Sequence, residues 1–182
     1  AGQFLFASMG VTDRTQGWGG LYRLRRNGVV ERLLDNVIVG NGPCFSPNGD
    51  ILYFSDGRGV ILQFDYDPDR GLSAPRPFFD AKAAGTACDG ATVDSNGNLW
   101  TALIGAGKIG CISPMGELKL TVDLPIPLVS SVMFGGPNDI ETALFCHLNH
   151  FNGVARHIVH IQTVIQSFHV DRQLEFHSMC SV

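Results

Sequence analysis

An internal repeat constrains this chain more than any other feature of its sequence. Residues 41–55 read NGPCFSPNGDILYFS, and residues 89–103, which begin 48 positions later, read DGATVDSNGNLWTAL without a gap. A weaker third copy begins at Ser130, and a half copy opens the chain at residues 2–8. A fixed period of this length indicates one supersecondary unit that recurs and stacks on its neighbours.

Each copy predicts two short strands joined by a tight turn, because Asn48-Gly49 and Asn96-Gly97 tolerate positive φ. A third and a fourth strand-like segment follow, as in residues 60–65 and 75–79. Four short antiparallel strands every ~40–50 residues match the size of a propeller blade. We therefore predict an all-β fold, a β-propeller of four-stranded antiparallel blades, with about three to four blades in this chain.

The repeat divides the chain into two parts. Residues 1–146 are predicted to form a partial β-propeller, and residues 147–182 a divergent, His-rich tail, since all six histidines lie there and no Gly follows Gly153. Apolar residues recur at helical spacing over residues 154–170, which favours an amphipathic helix. The β-branched residues in the same segment favour a strand pair instead, as part of the last blade.

Two histidine pairs in the tail have a spacing that binds metal on a helix, His147-x-x-His150 and His157-x-x-His160. Neither pair has a Cys or a carboxylate at a matching distance. We therefore interpret these histidines as incidental rather than as metal ligands.

Composition and charge exclude several classes of protein. Hydrophobic residues make up 45% and charged residues 16% of the chain, which excludes an intrinsically disordered protein. The net charge of −4 and the scattered basic residues argue against a nucleic-acid partner. The densest basic run, Arg23-Leu24-Arg25-Arg26, is interpreted as a solvated strand end. No stretch reaches ~18 apolar residues, so no membrane span is predicted.

The cysteines indicate a reducing compartment. There are five, an odd number, and none forms a C-x-x-C pair, so they make a poor disulfide framework and a poor zinc site. We interpret them as small buried hydrophobic residues. Together with the lack of a visible secretory leader, this predicts a cytoplasmic protein.

Two polar residues occupy equivalent positions in successive copies, Asn41 and Asp89, and each precedes a glycine. The first strand of every propeller blade lines the central channel, so equivalent positions converge on one axis. A carboxylate and a carboxamide there would offer oxygen ligands to Ca²⁺, Mg²⁺ or Zn²⁺. The alternative, that Asn-Gly and Asp-Gly are simply turn dipeptides, remains open on spacing alone.

The same segments resemble the SMP-30/gluconolactonase/LRE family. Residues 41–56 resemble its segment sNGlafSPDGrtlYfaD, residues 88–100 its segment PDGl.vDaeGnlW, and residues 124–136 its segment lPv..ptscaFGG. The likeness covers residues 2 to 146 in the family's order and spacing. It departs at Cys88, where the family has Pro.

The resemblance implies a six-bladed propeller that holds one divalent metal ion, Ca²⁺ or Zn²⁺, with Mg²⁺ and Mn²⁺ as further candidates. By this resemblance Asn41 and Asp89 are metal ligands, and Asp89 is also the catalytic general base for the water that opens a small-molecule sugar lactone. The family's metal-ligand Glu and its Arg-x-Asn substrate clamp would lie before Ala1, so no substrate-binding residue is assigned.

Two alternatives stand beside the lactonase interpretation. One is a non-catalytic Ca²⁺-binding or scaffold propeller, inactive because metal and substrate ligands are missing. The other is an inert truncation product with exposed blade faces. We interpret Ser8, Asp13 and Trp18 as parts of a loop near the channel mouth, shaping the loop rather than touching substrate. Asp94 is predicted to be a turn or strand-end residue, and Trp100 to pack between blades.

Overall fold

The computed structural model describes residues 3–10, 12–124, 126–135, 142–147, 150–151, 154–155 and 161–164. Most of these residues form antiparallel strands and the turns between them, and their only helical element is a short 3₁₀ turn at Ala81–Ala84. In this part of the chain no helix has the length and apolar character needed to cross a membrane.

The strands form four main sheets in chain order. The first contains β1 (Phe4–Ala7), β2 (Gly19–Leu24) and β3 (Val30–Val37). The second contains β4 (Asn41–Phe45), β5 (Ile51–Ser55), β6 (Val60–Asp67), the short β7 (Gly71–Leu72) and β8 (Arg76–Asp80), with β8 paired to β6. The third contains β9 (Ala87–Val93), β10 (Leu99–Ile104), β11 (Lys108–Ile112) and β12 (Leu118–Asp123).

The fourth sheet joins β13 (Val129–Gly135), β14 (Thr142–His147) and β17 (Ile161–Val164), and beside it β15 (His150–Phe151) pairs with β16 (Val154–Ala155). The third sheet is the four-stranded antiparallel unit that the 48-residue repeat predicts, and the second sheet is the same unit, β4-β5-β6-β8, with the two-residue β7 added. That part of the prediction is confirmed.

Four turns between strands share one construction. Each ends in a glycine with φ between 76° and 82°, at Gly28, Gly49, Gly97 and Gly116. The backbone N–H of each glycine donates to the carbonyl three residues earlier, at 2.8–3.0 Å. Glycine adopts this left-handed conformation without the steric cost of a Cβ, which is why the repeat preserves it.

Alternate side chains of one strand pack against the sheets on either side. In β5, Leu52 lies in the apolar cluster shared with the first sheet, and Tyr53 lies in the cluster shared with the third. In β10, Leu99 faces the second sheet and Trp100 the fourth. All four are at most 3% exposed, and burying one such side chain contributes about 1.5–3 kcal/mol. The sheets therefore stack face to face, as propeller blades do.

Asp94 organises the turn from β9 to β10. Its carboxylate accepts hydrogen bonds from the backbone N–H of Asn96 (2.9 Å) and Asn98 (2.8 Å), from Nδ2 of Asn98 (2.8 Å) and from Nε1 of Trp100 (2.9 Å). The Trp100 ring is 3% exposed and meets Phe134 edge-on, with ring centroids 6.0 Å apart. The predictions for Asp94 and Trp100 are both confirmed.

The basic run at the end of β2 is not a solvated strand end throughout, because Arg23 is only 2% exposed. Its guanidinium donates to Glu31, its cross-strand partner on β3, at 2.7 Å, and to the backbone carbonyl of Pro68, in the turn after β6 of the second sheet, at 2.8 Å. The charge is thus paired and hydrogen-bonded where it is buried, as a buried charge requires. Arg23 ties the first sheet to the second.

The tail contributes strands where it is described. Ile161–Val164 pairs with β14 in the fourth sheet, and Val154–Ala155 forms half of a two-stranded ribbon. The helical alternative for residues 154–170 is therefore wrong at these six residues. Pairing with β14 satisfies backbone groups that an unpaired edge strand would leave open, and it suits β-branched side chains. The other residues of this segment lie outside the described residues.

Candidate metal centre on the inner strands

Asn41 and Asp89 lie on the first strands of adjacent sheets. Asn41 begins β4 and Asp89 is the third residue of β9. The two strands approach closely, since a Cβ built on Gly42 would stand 2.9 Å from the Asp89 carbonyl oxygen and 2.9 Å from the Ala91 nitrogen. The structure therefore brings together the two segments in which the sequence places its candidate metal ligands.

The first strand of each sheet is called its inner strand. The inner strands β4 and β9 both carry a β-bulge near the candidate ligands. On β4, Asn41 pairs with Ser55 and Cys44 with Tyr53, so two inner residues face one partner residue. On β9, Cys88 pairs with Leu103 and Ala91 with Thr101, which leaves Asp89 and Gly90 opposite one residue. Bulges re-aim side chains and are frequent next to active sites. The extra residue interrupts the regular alternation of side chains directly after Asn41 on β4 and at Asp89-Gly90 on β9.

The Asp89 carboxyl group is half-buried, and this burial raises its pKa to about 6. The backbone N–H of Gly90 donates to the carboxylate and lowers the pKa, but to a smaller extent than burial raises it. Within the described ranges no Lys or Arg forms an ion pair with Asp89. A partly desolvated carboxylate without a cationic partner is stabilised by a nearby cation.

The donor chemistry of the pair fits a hard divalent cation. A carboxylate oxygen from Asp89 and a carboxamide oxygen from Asn41 are ligands that Ca²⁺ and Mg²⁺ prefer, and Zn²⁺ also accepts a carboxylate. The described residues contain no group of three or more His, Cys, Asp or Glu side chains that could hold a metal ion. Asn41 and Asp89 are thus the candidate ligands that these residues supply.

The residue before Asp89 is a core residue. Cys88 is 1% exposed, lies in the cluster between the second and third sheets, and has a pKa raised to about 12 by burial. It stays a protonated thiol near neutral pH, so it is a poor metal ligand. Cys111 is also fully buried, which confirms for these two residues the interpretation of the cysteines as small hydrophobic residues.

Two buried hydroxyl groups hold the backbone around Asp89. The Ser55 hydroxyl donates to the carbonyl of Cys88 at 3.3 Å, and the Thr101 hydroxyl donates to the carbonyl of Gly90 at 3.4 Å. Ser55 is 3% exposed and Thr101 is fully buried. Sequence reasoning missed both residues. A usable signal is present, because each hydroxyl lies among apolar residues of a second strand, where a buried polar group needs a hydrogen-bond partner. The segments are FS at residues 54–55 and WTAL at residues 100–103.

The loop from β1 to β2 contains Ser8, Asp13 and Trp18. Ser8 Oγ accepts a hydrogen bond from the backbone N–H of Gly20 at 3.1 Å. The Asp13 carboxylate accepts from the backbone N–H and the hydroxyl of Thr15, at 2.8 and 2.6 Å. These bonds shape the loop, as predicted, whereas the Trp18 side chain is 66% exposed.

The same loop lies beside the chain that leads into Asn41. Met9 forms an isolated antiparallel bridge with Val39, two residues before Asn41. The loop is thus held at the end of the sheets where the candidate ligands lie. Of the predicted histidine pairs, His147 ends β14 and His150 begins β15, while His157 and His160 lie outside the described residues.

Comparison with known proteins shows which proteins this chain is similar to. Human regucalcin is 32% identical over 139 residues, which cover 75% of this chain and 46% of regucalcin. The solved structure of the calcium-binding protein regucalcin from Agrobacterium tumefaciens matches with a TM-score of 0.74 and 25% identity, over 80% of this chain and 49% of that one. A gluconolactonase from Xanthomonas campestris matches with a TM-score of 0.60 and 26% identity, over 71% and 41% of the two chains.

The chain spans about half the length of the curated relatives it matches, between 46% and 50% of three of them. Its sheets are those of the β-propeller proteins to which it is similar, so the predicted fold class is confirmed. The family described as "SMP-30/Gluconolactonase/LRE-like region" matches residues 1–144, which is most of the chain. The chain belongs to the SMP-30/gluconolactonase/LRE-like family.

Proposed function

We propose that the protein containing this chain hydrolyses a sugar lactone in a metal-dependent reaction at Asn41 and Asp89. The observation that carries this proposal is the half-buried Asp89 carboxylate, which has no ion pair among the described residues and lies on the strand next to Asn41. Family membership supports lactonase chemistry. The name of the Xanthomonas campestris protein, a gluconolactonase, supports a small sugar lactone as substrate.

Asn41 and Asp89 would hold the cation through their side-chain oxygens. A divalent ion bound there would polarise the lactone carbonyl and make a bound water more acidic. Asp89 would accept the proton of the attacking water, whose hydroxyl adds to the carbonyl carbon. The ring C–O bond then breaks, and Asp89 returns the proton to the ring oxygen, which gives the open hydroxy acid.

The surroundings of Asp89 suit this role. Burial moves its pKa towards neutral, which makes the carboxylate a stronger base than an exposed aspartate, although a bound cation opposes this shift. The bonds from Ser55 and Thr101 to the flanking carbonyls fix the backbone that carries it. A fixed base needs little reorganisation when it accepts a proton.

A second candidate is a non-catalytic Ca²⁺-binding propeller. It is favoured by the fact that the described residues supply only two candidate ligands, one carboxylate and one carboxamide. The name given to the Agrobacterium tumefaciens regucalcin, a calcium-binding protein, supports the same ion. In either case we place the protein in the cytoplasm, because Cys88 and Cys111, the buried cysteines among the described residues, are free.

Removal of metal tests the proposal. We expect the metal-free protein to hydrolyse glucono-δ-lactone at least ~100-fold more slowly than the metal-replete protein, because the carbonyl is no longer polarised. Activity should be measured by acid release after chelation, then after adding back Ca²⁺, Zn²⁺, Mg²⁺ or Mn²⁺ singly. Recovery with one of these ions is the expected result. Hydrolysis that survives chelation would contradict metal dependence, and a metal-binding protein inert on a lactone panel would favour the second candidate.

A further inference from the structure

We propose that Ser130 is a substrate-binding residue, whose hydroxyl hydrogen-bonds a ring hydroxyl of the lactone beside Asp89. This rests on the proposed lactonase function and adds a residue of β13, the first strand of the fourth sheet. Three first strands then contribute to one site. The backbone places Ser130 relative to Asp89 much as it places Asp89 relative to Asn41.

One close contact between adjacent inner strands is shared by both junctions. A Cβ built on Gly42 would lie 2.9 Å from the carbonyl oxygen of Asp89. A Cβ built on Gly90 would lie 2.8 Å from the carbonyl oxygen of Ser130. In each case the residue after the candidate ligand meets the carbonyl of the equivalent residue in the next sheet. Ser130 therefore continues the series that Asn41 and Asp89 begin.

The third inner strand also carries the same one-residue bulge. On β13, Val129 pairs with His147 and Ser131 with Cys146, so Ser130 is the extra residue. The corresponding extra residue lies next to Asn41 on β4 and at Asp89-Gly90 on β9. The three bulges lie within one residue of equivalent places, those on β9 and β13 include the equivalent residues Asp89 and Ser130, and bulges re-aim the side chains near them.

The residues that flank Ser130 occupy the same core positions as those that flank Asp89. Val129, which precedes Ser130, is fully buried. Cys88, which precedes Asp89, is likewise buried, with 1% of its surface exposed. Val132 lies two residues after Ser130 in the core between the third and fourth sheets, and Ala91 lies two residues after Asp89 in the preceding core. Since the apolar neighbours match in position, the polar residue between them occupies the matching place at the inner edge.

The chemistry of a serine suits the substrate better than the metal. A serine hydroxyl can both donate a hydrogen bond to a sugar hydroxyl and accept one from it, whereas hard cations are held in proteins mainly by carboxylate, carbonyl and water oxygens. A sugar lactone carries a hydroxyl group on the ring carbon next to its carbonyl and others on the ring carbons beyond it. With the carbonyl at Asp89, one of these groups would reach the next inner strand. The neighbouring Ser131 packs against Gly90 instead, with its Cβ 2.7 Å from the position of a Gly90 Cβ.

The test compares two lactones that differ in their hydroxyl groups. In the protein that contains this chain, Ser130→Ala should lower kcat/KM for glucono-δ-lactone roughly tenfold, mainly through KM, because one hydrogen bond to substrate is lost. It should leave hydrolysis of unsubstituted δ-valerolactone unchanged. The matched control, Ser131→Ala, removes a hydroxyl one residue away and should leave the ratio of the two rates unchanged.

Three results would overturn the proposal. Equal losses on both lactones would mean that Ser130 only supports the fold, and no loss on either would mean that it does not touch substrate. A changed ratio in Ser131→Ala would place the contact at the wrong residue. If the unmutated protein hydrolyses neither lactone, the proposed function itself fails and Ser130 falls with it, which is distinct from failure in the variant alone.

Discussion

Asp89→Asn is expected to lower kcat for lactone hydrolysis about 1,000-fold or more. Asparagine keeps the shape of the side chain and an oxygen that can accept the Gly90 N–H bond, but it removes the negative charge that would hold the cation and the base that would accept the proton. The measurement is steady-state hydrolysis of glucono-δ-lactone at saturating metal. Circular dichroism of the variant shows whether its fold is kept.

The matched control is Asp123→Asn, the same chemical change on β12, where the carboxylate is exposed and pairs with Lys108. This variant should hydrolyse lactone at the rate of the unmutated protein, because exposed ion pairs contribute little and this one lies away from the inner strands. An Asp89→Asn protein that retains more than about a tenth of the activity would remove Asp89 from the reaction.

Gly42→Ala is expected to destabilise the protein by about 3 kcal/mol or more. Gly42 has a φ of 54°, so alanine is strained there, and the new methyl would also stand 2.9 Å from three atoms of Asp89 and Ala91. Neither contact with the backbone can relax without moving β9. Urea denaturation followed by tryptophan fluorescence measures the loss, and lactone hydrolysis should fall as well because the inner strands separate.

Gly49→Ala separates backbone strain from crowding. Gly49 also has positive φ, 76°, but a Cβ there would meet nothing within 4 Å. This control should cost only about 1 kcal/mol, the strain of the left-handed conformation. If the two variants lose the same free energy of unfolding, β4 and β9 are not in the close contact described here.

The regular part of the fold could be predicted from the sequence because it depends on short-range patterns. The Asn-Gly turns, the alternation of apolar residues and the 48-residue repeat each report a local preference, and all of them agree. The bulges could not be predicted, since the register of a strand depends on its partner. The tail was ambiguous for a related reason, because a short β-branched segment becomes a strand only where an edge such as β14 accepts it.

The site was partly predictable for the same reasons. The repeat places Asn41, Asp89 and Ser130 in equivalent positions, and a propeller makes equivalent positions converge. Arg23 shows where such reasoning fails. A run of basic residues predicts solvated side chains, but Arg23 is buried and donates to Glu31 and to the Pro68 carbonyl, which the sequence does not place beside it. The supporting hydrogen bonds of Ser55 and Thr101 could not be predicted either, because each joins two strands. Ser55 bonds to Cys88 in the next sheet, and Thr101 bonds to Gly90 on the adjacent strand.

Calorimetric titration with Ca²⁺ tests the central claim most directly, with Zn²⁺, Mg²⁺ and Mn²⁺ titrated in the same way. For an ion that restores activity, we expect one site in the unmutated protein, and at least ~10-fold weaker binding in both Asn41→Ala and Asp89→Asn, since each loses a candidate ligand. Asn48→Ala, which removes the same amide from an exposed turn, should bind as the unmutated protein does. Unchanged affinity in the Asn41 and Asp89 variants would contradict a metal centre on the inner strands.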